Sequence, residues 1–227
     1  MIEQGADINT KDSSGRTPLF ERAGWKDGNI ESLLELGADV NISDKYGNTP
    51  LHSAASSFAT DSAKKLIDFG ANLKAQNNDS LNSLEYALKL CQNAKIEDAL
   101  ELSKVFLKIG LKPSPNMRKF IQDIGESFEF YRLRFNKDKV NQVSDALNEL
   151  YKLFNVIPVE RRVMHDGQAP ISINSSSWQE QHEELWNYLV PSNGPAQTIQ
   201  GELIRVSGRI SNELNGNGGI NWMMTIK

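Results

Sequence analysis

The sequence predicts an all-α protein, an α-solenoid of helix–turn–helix repeats followed by a C-terminal helical region. The pentad Gly5-Ala6-Asp7-Ile8-Asn9 recurs as Gly37-Ala38-Asp39-Val40-Asn41 and, weakened, as Gly70-Ala71-Asn72-Leu73, at offsets of 32 and 33 residues. A second motif keeps that register: Asp12-Ser13-Ser14-Gly15-Arg16-Thr17-Pro18-Leu19 returns as Asp44-Lys45-Tyr46-Gly47-Asn48-Thr49-Pro50-Leu51-His52. Beyond the motifs, apolar residues recur at three- and four-residue spacing, most clearly at Val140, Val143, Ala146, Leu147, Leu150, Tyr151 and Phe154.

Each element has a local reason. Thr17 and Thr49 are placed to cap a first helix, with Pro18 and Pro50 at its first position, where no amide donor is needed. The second helices read Asn29-Ile30-Glu31-Ser32-Leu33-Leu34-Glu35-Leu36 and Ser62-Ala63-Lys64-Lys65-Leu66-Ile67-Asp68-Phe69, each followed by a glycine stop. One such unit cannot bury its own apolar face, so stacking has to supply the core.

These motifs resemble the ankyrin-repeat family over about residues 1–110. The resemblance implies a partner-binding surface on the turn tips and the exposed side of the first helices. The matching positions are Lys11, Ser13, Ser14, Arg16, Glu21, Lys45, Tyr46, Asn48, Ser53 and Ser56, with Tyr46 and Arg16 as the expected anchors. It also gives His52 a structural place, tying neighbouring loops by hydrogen bonds.

The repeats are uneven. In the third unit Ser83-Leu84-Glu85-Tyr86-Ala87 replaces Pro-Leu-His-x-Ala, and 26 residues separate Leu84 from Gly110 against 19 from Leu51 to Gly70. Seven more residues are about two helical turns, which predicts a longer terminal pair over 82–92 and 95–109. At the other end, Met1 to Gly5 matches only the last turn of a second helix. The rest of that unit is expected to be missing or its face covered by a partner.

Lys112-Pro113-Ser114-Pro115 marks a boundary, dividing 1–110 from a helical region at 111–227. Helix is expected at 117–124, more clearly than beyond Gly125, and at 138–154. A long loop follows at about 155–177, with a short extended piece at 156–164, and then helices at 178–190 and 195–214. The stretch from Leu185 through Trp222 is similar to a recurring segment of uncharacterised bacterial proteins, which carries no activity with it. The ending Trp222-Met223-Met224-Thr225-Ile226-Lys227 is abrupt, and a frayed or truncated terminus is expected there.

Composition narrows the chemistry. Residues 1–110 hold 12 Lys/Arg against 16 Asp/Glu, and 111–227 hold 13 of each, a balance that argues against nucleic acid. The aromatic and basic stretch 117–162, with Arg132, Arg134, Arg161 and Arg162, is offset by 7 acidic residues against 9 basic ones. Neither a long apolar run nor the order of a signal peptide occurs. One cysteine, Cys91, excludes an internal disulfide framework and points to a reducing cytoplasm. The three histidines, His52, His165 and His182, are scattered without metal-ligand spacing. No nucleophile elbow or phosphate-cradling loop is present.

The sequence therefore predicts a cytoplasmic, bacterial protein-binding module without catalytic residues, metal or cofactor, engaging another protein through its tips and its tail. Glu202, Arg205 and Arg209, at helical spacing, form a candidate polar site in that tail; their alternative is a solvated or internally paired helix face. Two other functions stay open. One is an immunity or antitoxin-like inhibitor, suggested by small size, acidity and the bacterial-type tail. The other is an enzyme with a site around His165, Asp166, Glu202, Arg205 and Arg209.

Overall fold

The computed structural model describes residues 7–27, 29–132, 135–161, 174–191, 196, 198 and 200–205. Nine α-helices follow one another among the described residues: α1 Pro18–Ala23, α2 Glu31–Glu35, α3 Pro50–Ser56, α4 Thr60–Asp68, α5 Ser83–Lys89, α6 Ile96–Lys108, α7 Pro115–Tyr131, α8 Lys137–Phe154 and α9 Trp178–Leu189. A 3-10 turn, Asn93–Lys95, leads into α6, and no strand occurs among the described residues. The chain divides into two compact units, one of Met1–Phe128 with Lys137–Val159, the other of Glu129–Asn136 with Glu160–Lys227.

In the first unit the first helices α1, α3 and α5 pack side by side, and the second helices α4, α6 and α8 form a parallel row behind them. Their starts are fixed by side chains. The Thr17 hydroxyl accepts the Phe20 N–H (3.2 Å), and Asn82 accepts the Leu84 and Glu85 N–H groups (3.1 and 3.0 Å). Such caps satisfy donors that the helix itself leaves open.

Stacking uses a ladder of asparagines. Asn9 Oδ1 accepts the Asp39 N–H (2.9 Å), and one unit later Asn41 Oδ1 accepts the Asn72 N–H (2.9 Å). The next position in register is Lys74, which cannot continue the series. The ladder thus ends where the units begin to lengthen.

His52 and Glu85 occupy equivalent positions and do equivalent work with different chemistry. His52 Nδ1 accepts the Thr49 N–H (3.2 Å), so Nε2 carries the proton and donates to the Leu81 carbonyl of the next unit (3.1 Å). Glu85 Oε2 accepts the Asn82 N–H (2.9 Å), while its Oε1 accepts the Ser114 hydroxyl (2.5 Å). Each side chain closes its own helix start and reaches the loop that opens the following pair.

The compact unit runs past residue 110. Thr17, Thr49, Asn82 and Ser114 open successive first helices at intervals of 32, 33 and 32 residues, and Ser114-Pro115 repeats the cap-then-proline order of Thr17-Pro18. Ser114 Oγ also accepts the Met117 N–H (3.2 Å). The fourth pair closes like the others. Ala38, Ala71 and Leu111 return their N–H groups to the carbonyls of Leu33, Leu66 and Phe106, and Val156 does the same to Tyr151. Asn155, with φ 52°, stands where Gly37, Gly70 and Gly110 stand in the earlier pairs. In this role Pro115 begins a helix.

Helix α7 continues beyond Gly125, where the sequence weakened the expectation. A Cβ at Gly125 would overlap the Tyr151 hydroxyl of α8 and lie 3.0 Å from Val159 Cγ2. The glycine is there for close approach of the two helices, and tertiary contact supplies what local propensity lacks. Helix α8 matches its expected span, and Phe106, Met117, Phe128 and Phe154 are wholly buried in the core.

In the second unit Ser177 Oγ accepts the Glu180 N–H to cap α9 (3.3 Å). Glu184 accepts the Ser175 hydroxyl (2.7 Å) and the Asn174 N–H (3.2 Å), pinning the strand of chain that leads into the helix. Of the helix expected at 195–214, residues 200–205 are helical, whereas 196 and 198 are not; 195, 197, 199 and 206–214 lie outside the described residues. Residues 156–161 carry neither helix nor strand, and 162–164 of the expected extended piece lie outside as well.

Candidate functional site

The turn tips are built to be rigid. Asp44 Oδ1 accepts the N–H groups of Tyr46 and Asn48 (2.9 and 2.8 Å), folding the tip over its own carboxylate. The Lys45 N–H donates to the Ser14 carbonyl (3.0 Å), and the Asn78 N–H donates to the Tyr46 carbonyl (2.9 Å), so each tip is strapped to its neighbours. Gly47 takes φ 76°, and a Cβ there would lie 2.9 Å from the Asn78 backbone nitrogen; a side chain is excluded by conformation and by space. Tyr46 rides on this frame and is 68% exposed.

The other expected contact residues divide. Ser13, Lys45 and Glu21 are exposed. Lys11 is exposed too, with its Nζ on the Ser43 carbonyl (3.0 Å). Arg16 is held between Asp12 (2.9 Å) and Glu21 (2.7 Å). The Asp12 carboxyl is kept below its ordinary value, chiefly by the Arg16 backbone N–H and, against the cost of desolvation, by the guanidinium. Ser14 is half-buried and spends its carbonyl on the tip ladder, while Ser53 and Ser56 are half-buried on α3. Asn48 is a correction: it is 9% exposed, with its N–H on Asp44 and its Oδ1 accepting from Asn77 Nδ2 (3.0 Å). As the last residue before the helix cap, it is drawn beneath the tip instead of facing outward.

Sequence reasoning missed an apolar column. Leu36, Phe69 and Ile109 each precede the glycine that ends a second helix, and they are 55%, 49% and 45% exposed. The signal was legible, since the residue before the glycine that ends each of three successive second helices is large and apolar. Trp25, just after α1, is also exposed, and the Arg22 guanidinium stacks on its ring at 4.8 Å.

In the second unit Glu202 and Arg205 form an ion pair, and Glu202 also accepts the Ala196 N–H (3.0 Å). Arg209, His165 and Asp166 lie outside the described residues. Burial pushes the Cys91 thiol up to about 12, which leaves it no nucleophilic thiolate near neutral pH. Among the described residues no cluster of His, Cys, Asp and Glu is arranged to hold a metal ion, and no helix is long and apolar enough to cross a membrane.

Helix pairs stacked in register and joined by strapped tips define a repeat scaffold. Residues 33–87 match the model of the ankyrin-repeat family, described as ankyrin repeats in many copies. Ankyrin repeats are generally protein–protein interaction modules and are typically not enzymes. A comparison with curated proteins finds no match to the chain.

Proposed function

We propose that the protein binds a protein partner through its turn tips, with Tyr46 as the central anchor. The observation that carries this reading is an aromatic residue, 68% exposed, with its backbone fixed by Asp44 and Asn78. A rigid exposed tyrosine loses little entropy when it is buried in a complex, and residues of this type dominate interface energies. Lys11, Ser13, Lys45 and Glu21 are exposed polar residues of the first two units and suit the rim of such an interface. In the second unit, Trp178 and Leu203, 64% and 65% exposed, support a role for the tail in holding the same partner.

The test is purification of the protein with its bound partner from its native cell, comparing wild type with Tyr46→Ala. Tyr46→Ala is expected to weaken binding by about 2 kcal/mol, or roughly thirtyfold, without changing the thermal midpoint. Recovery of no stoichiometric protein partner, or equal binding by Tyr46→Ala, would count against the reading. A variant with Leu36, Phe69 and Ile109 all changed to serine distinguishes the surfaces: loss of binding there with Tyr46→Ala unaffected moves the interface to the C-terminal ends of the second helices.

A further inference from the structure

The third helix pair is larger than the second, and its added residues lie in two places. The connection between its helices, Leu90–Lys95, is six residues where Ser57–Ala59 is three. Helix α6 begins 14 residues before Gly110, whereas α4 begins 10 before Gly70. Four residues make about one further turn, some 6 Å of helix, at the start of α6. That turn carries Asp98.

Asp98 Oδ2 lies 2.8 Å from Nζ of Lys26, 72 positions earlier in the loop between α1 and α2, and 3.1 Å from Nζ of Lys95. The contact passes over the second pair and joins the first pair to the third. From the same enlarged segment Asn93 Nδ2 donates to the Ser127 carbonyl in α7 (3.2 Å), joining the third pair to the fourth. The electrostatics agree with a formed contact: desolvation works to raise the Asp98 carboxyl, yet Lys26 and Lys95 hold it below its ordinary value.

We propose that the enlargement of the third pair is a lengthwise brace, by which Asp98 and Asn93 tie the first and fourth pairs to the third. In a plain repeat stack each pair contacts only its neighbours, so a terminal pair can open alone. The brace adds a contact two pairs away. Opening α1 and α2 then requires breaking the Lys26–Asp98 contact as well as the interface with α3. A short stack with such a tie presents its tips at one fixed curvature.

Hydrogen exchange on the full chain, followed by mass spectrometry at low salt, tests this. Asp98→Asn and Lys26→Met should each speed exchange in α1 and α2 by about threefold, and the double variant should add nothing further. Lys95→Met removes the other partner of Asp98 and should leave α1 and α2 at the wild-type rate. The proposal is overturned if both single variants exchange like wild type in α1 and α2, if their effects multiply in the double variant, or if Lys95→Met matches Asp98→Asn.

Discussion

His52 shows how much one side chain can be asked to do. It is 1% exposed, accepts from its own helix cap and donates to the next unit's loop, and this requires the neutral imidazole. Burial lowers its affinity for a proton, offset only in part by the Leu81 carbonyl. In the unfolded chain the ring titrates near 6.5. Above that value both states are neutral and the contribution is complete; as pH falls below it the unfolded state takes up the proton first, and stability is lost. The wild type should therefore show a falling urea midpoint between about pH 6.5 and 5, a slope that His52→Gln lacks. His52→Ala should cost about 1–3 kcal/mol at pH 7 by orphaning the groups it bonds. Equal slopes for wild type and His52→Gln would refute this account.

At the scale of elements, the contact between α7 and α8 turns on the absence of a side chain. Gly125 lies against the Tyr151 hydroxyl, and Tyr151 is 3% exposed, with little room to retreat. Gly125→Ala gains intrinsic helix propensity of about 1 kcal/mol, yet overpacking, which costs about 1–3 kcal/mol, should outweigh it. Calorimetry should show a lowered midpoint for Gly125→Ala and a smaller loss when Tyr151→Phe is present. A stabilised Gly125→Ala would mean that propensity governs this site. The sequence could not show this, since glycine inside a helical pattern reads as a weakness until its neighbour is known.

Across the first compact unit, stability is shared along the stack. Helix α6 buries Leu102 and Phe106 completely, and α8 packs directly on it. A chain cut after residue 110 exposes the face that α7 and α8 cover. A fully buried Leu or Phe is worth about 1.5–3 kcal/mol, so losing several such contacts approaches the whole stability of a domain, about 5–15 kcal/mol. Residues 1–110 alone should unfold broadly or not fold at all. Residues 1–159 should melt in one cooperative transition, as circular dichroism would record. Cooperative melting of 1–110 at the midpoint of 1–159 would show that the fourth pair adds nothing.

The sequence by itself determined the repeat, because its signals are local. A capping threonine, the proline after it and a glycine stop act within a few residues of where they stand, and two of them in one register identify the unit. It also determined Tyr46 as an exposed tip residue, whereas Asn48, two positions on, was misplaced because its burial depends on Asn77, which belongs to the next unit. Ser114-Pro115 and Glu85 stand in the register of the repeat, but only the tertiary structure joined them, through a hydrogen bond between residues 29 positions apart. It alone decided that the enlarged third pair reaches Lys26, because a contact between single residues 72 positions apart leaves no periodic mark on the chain.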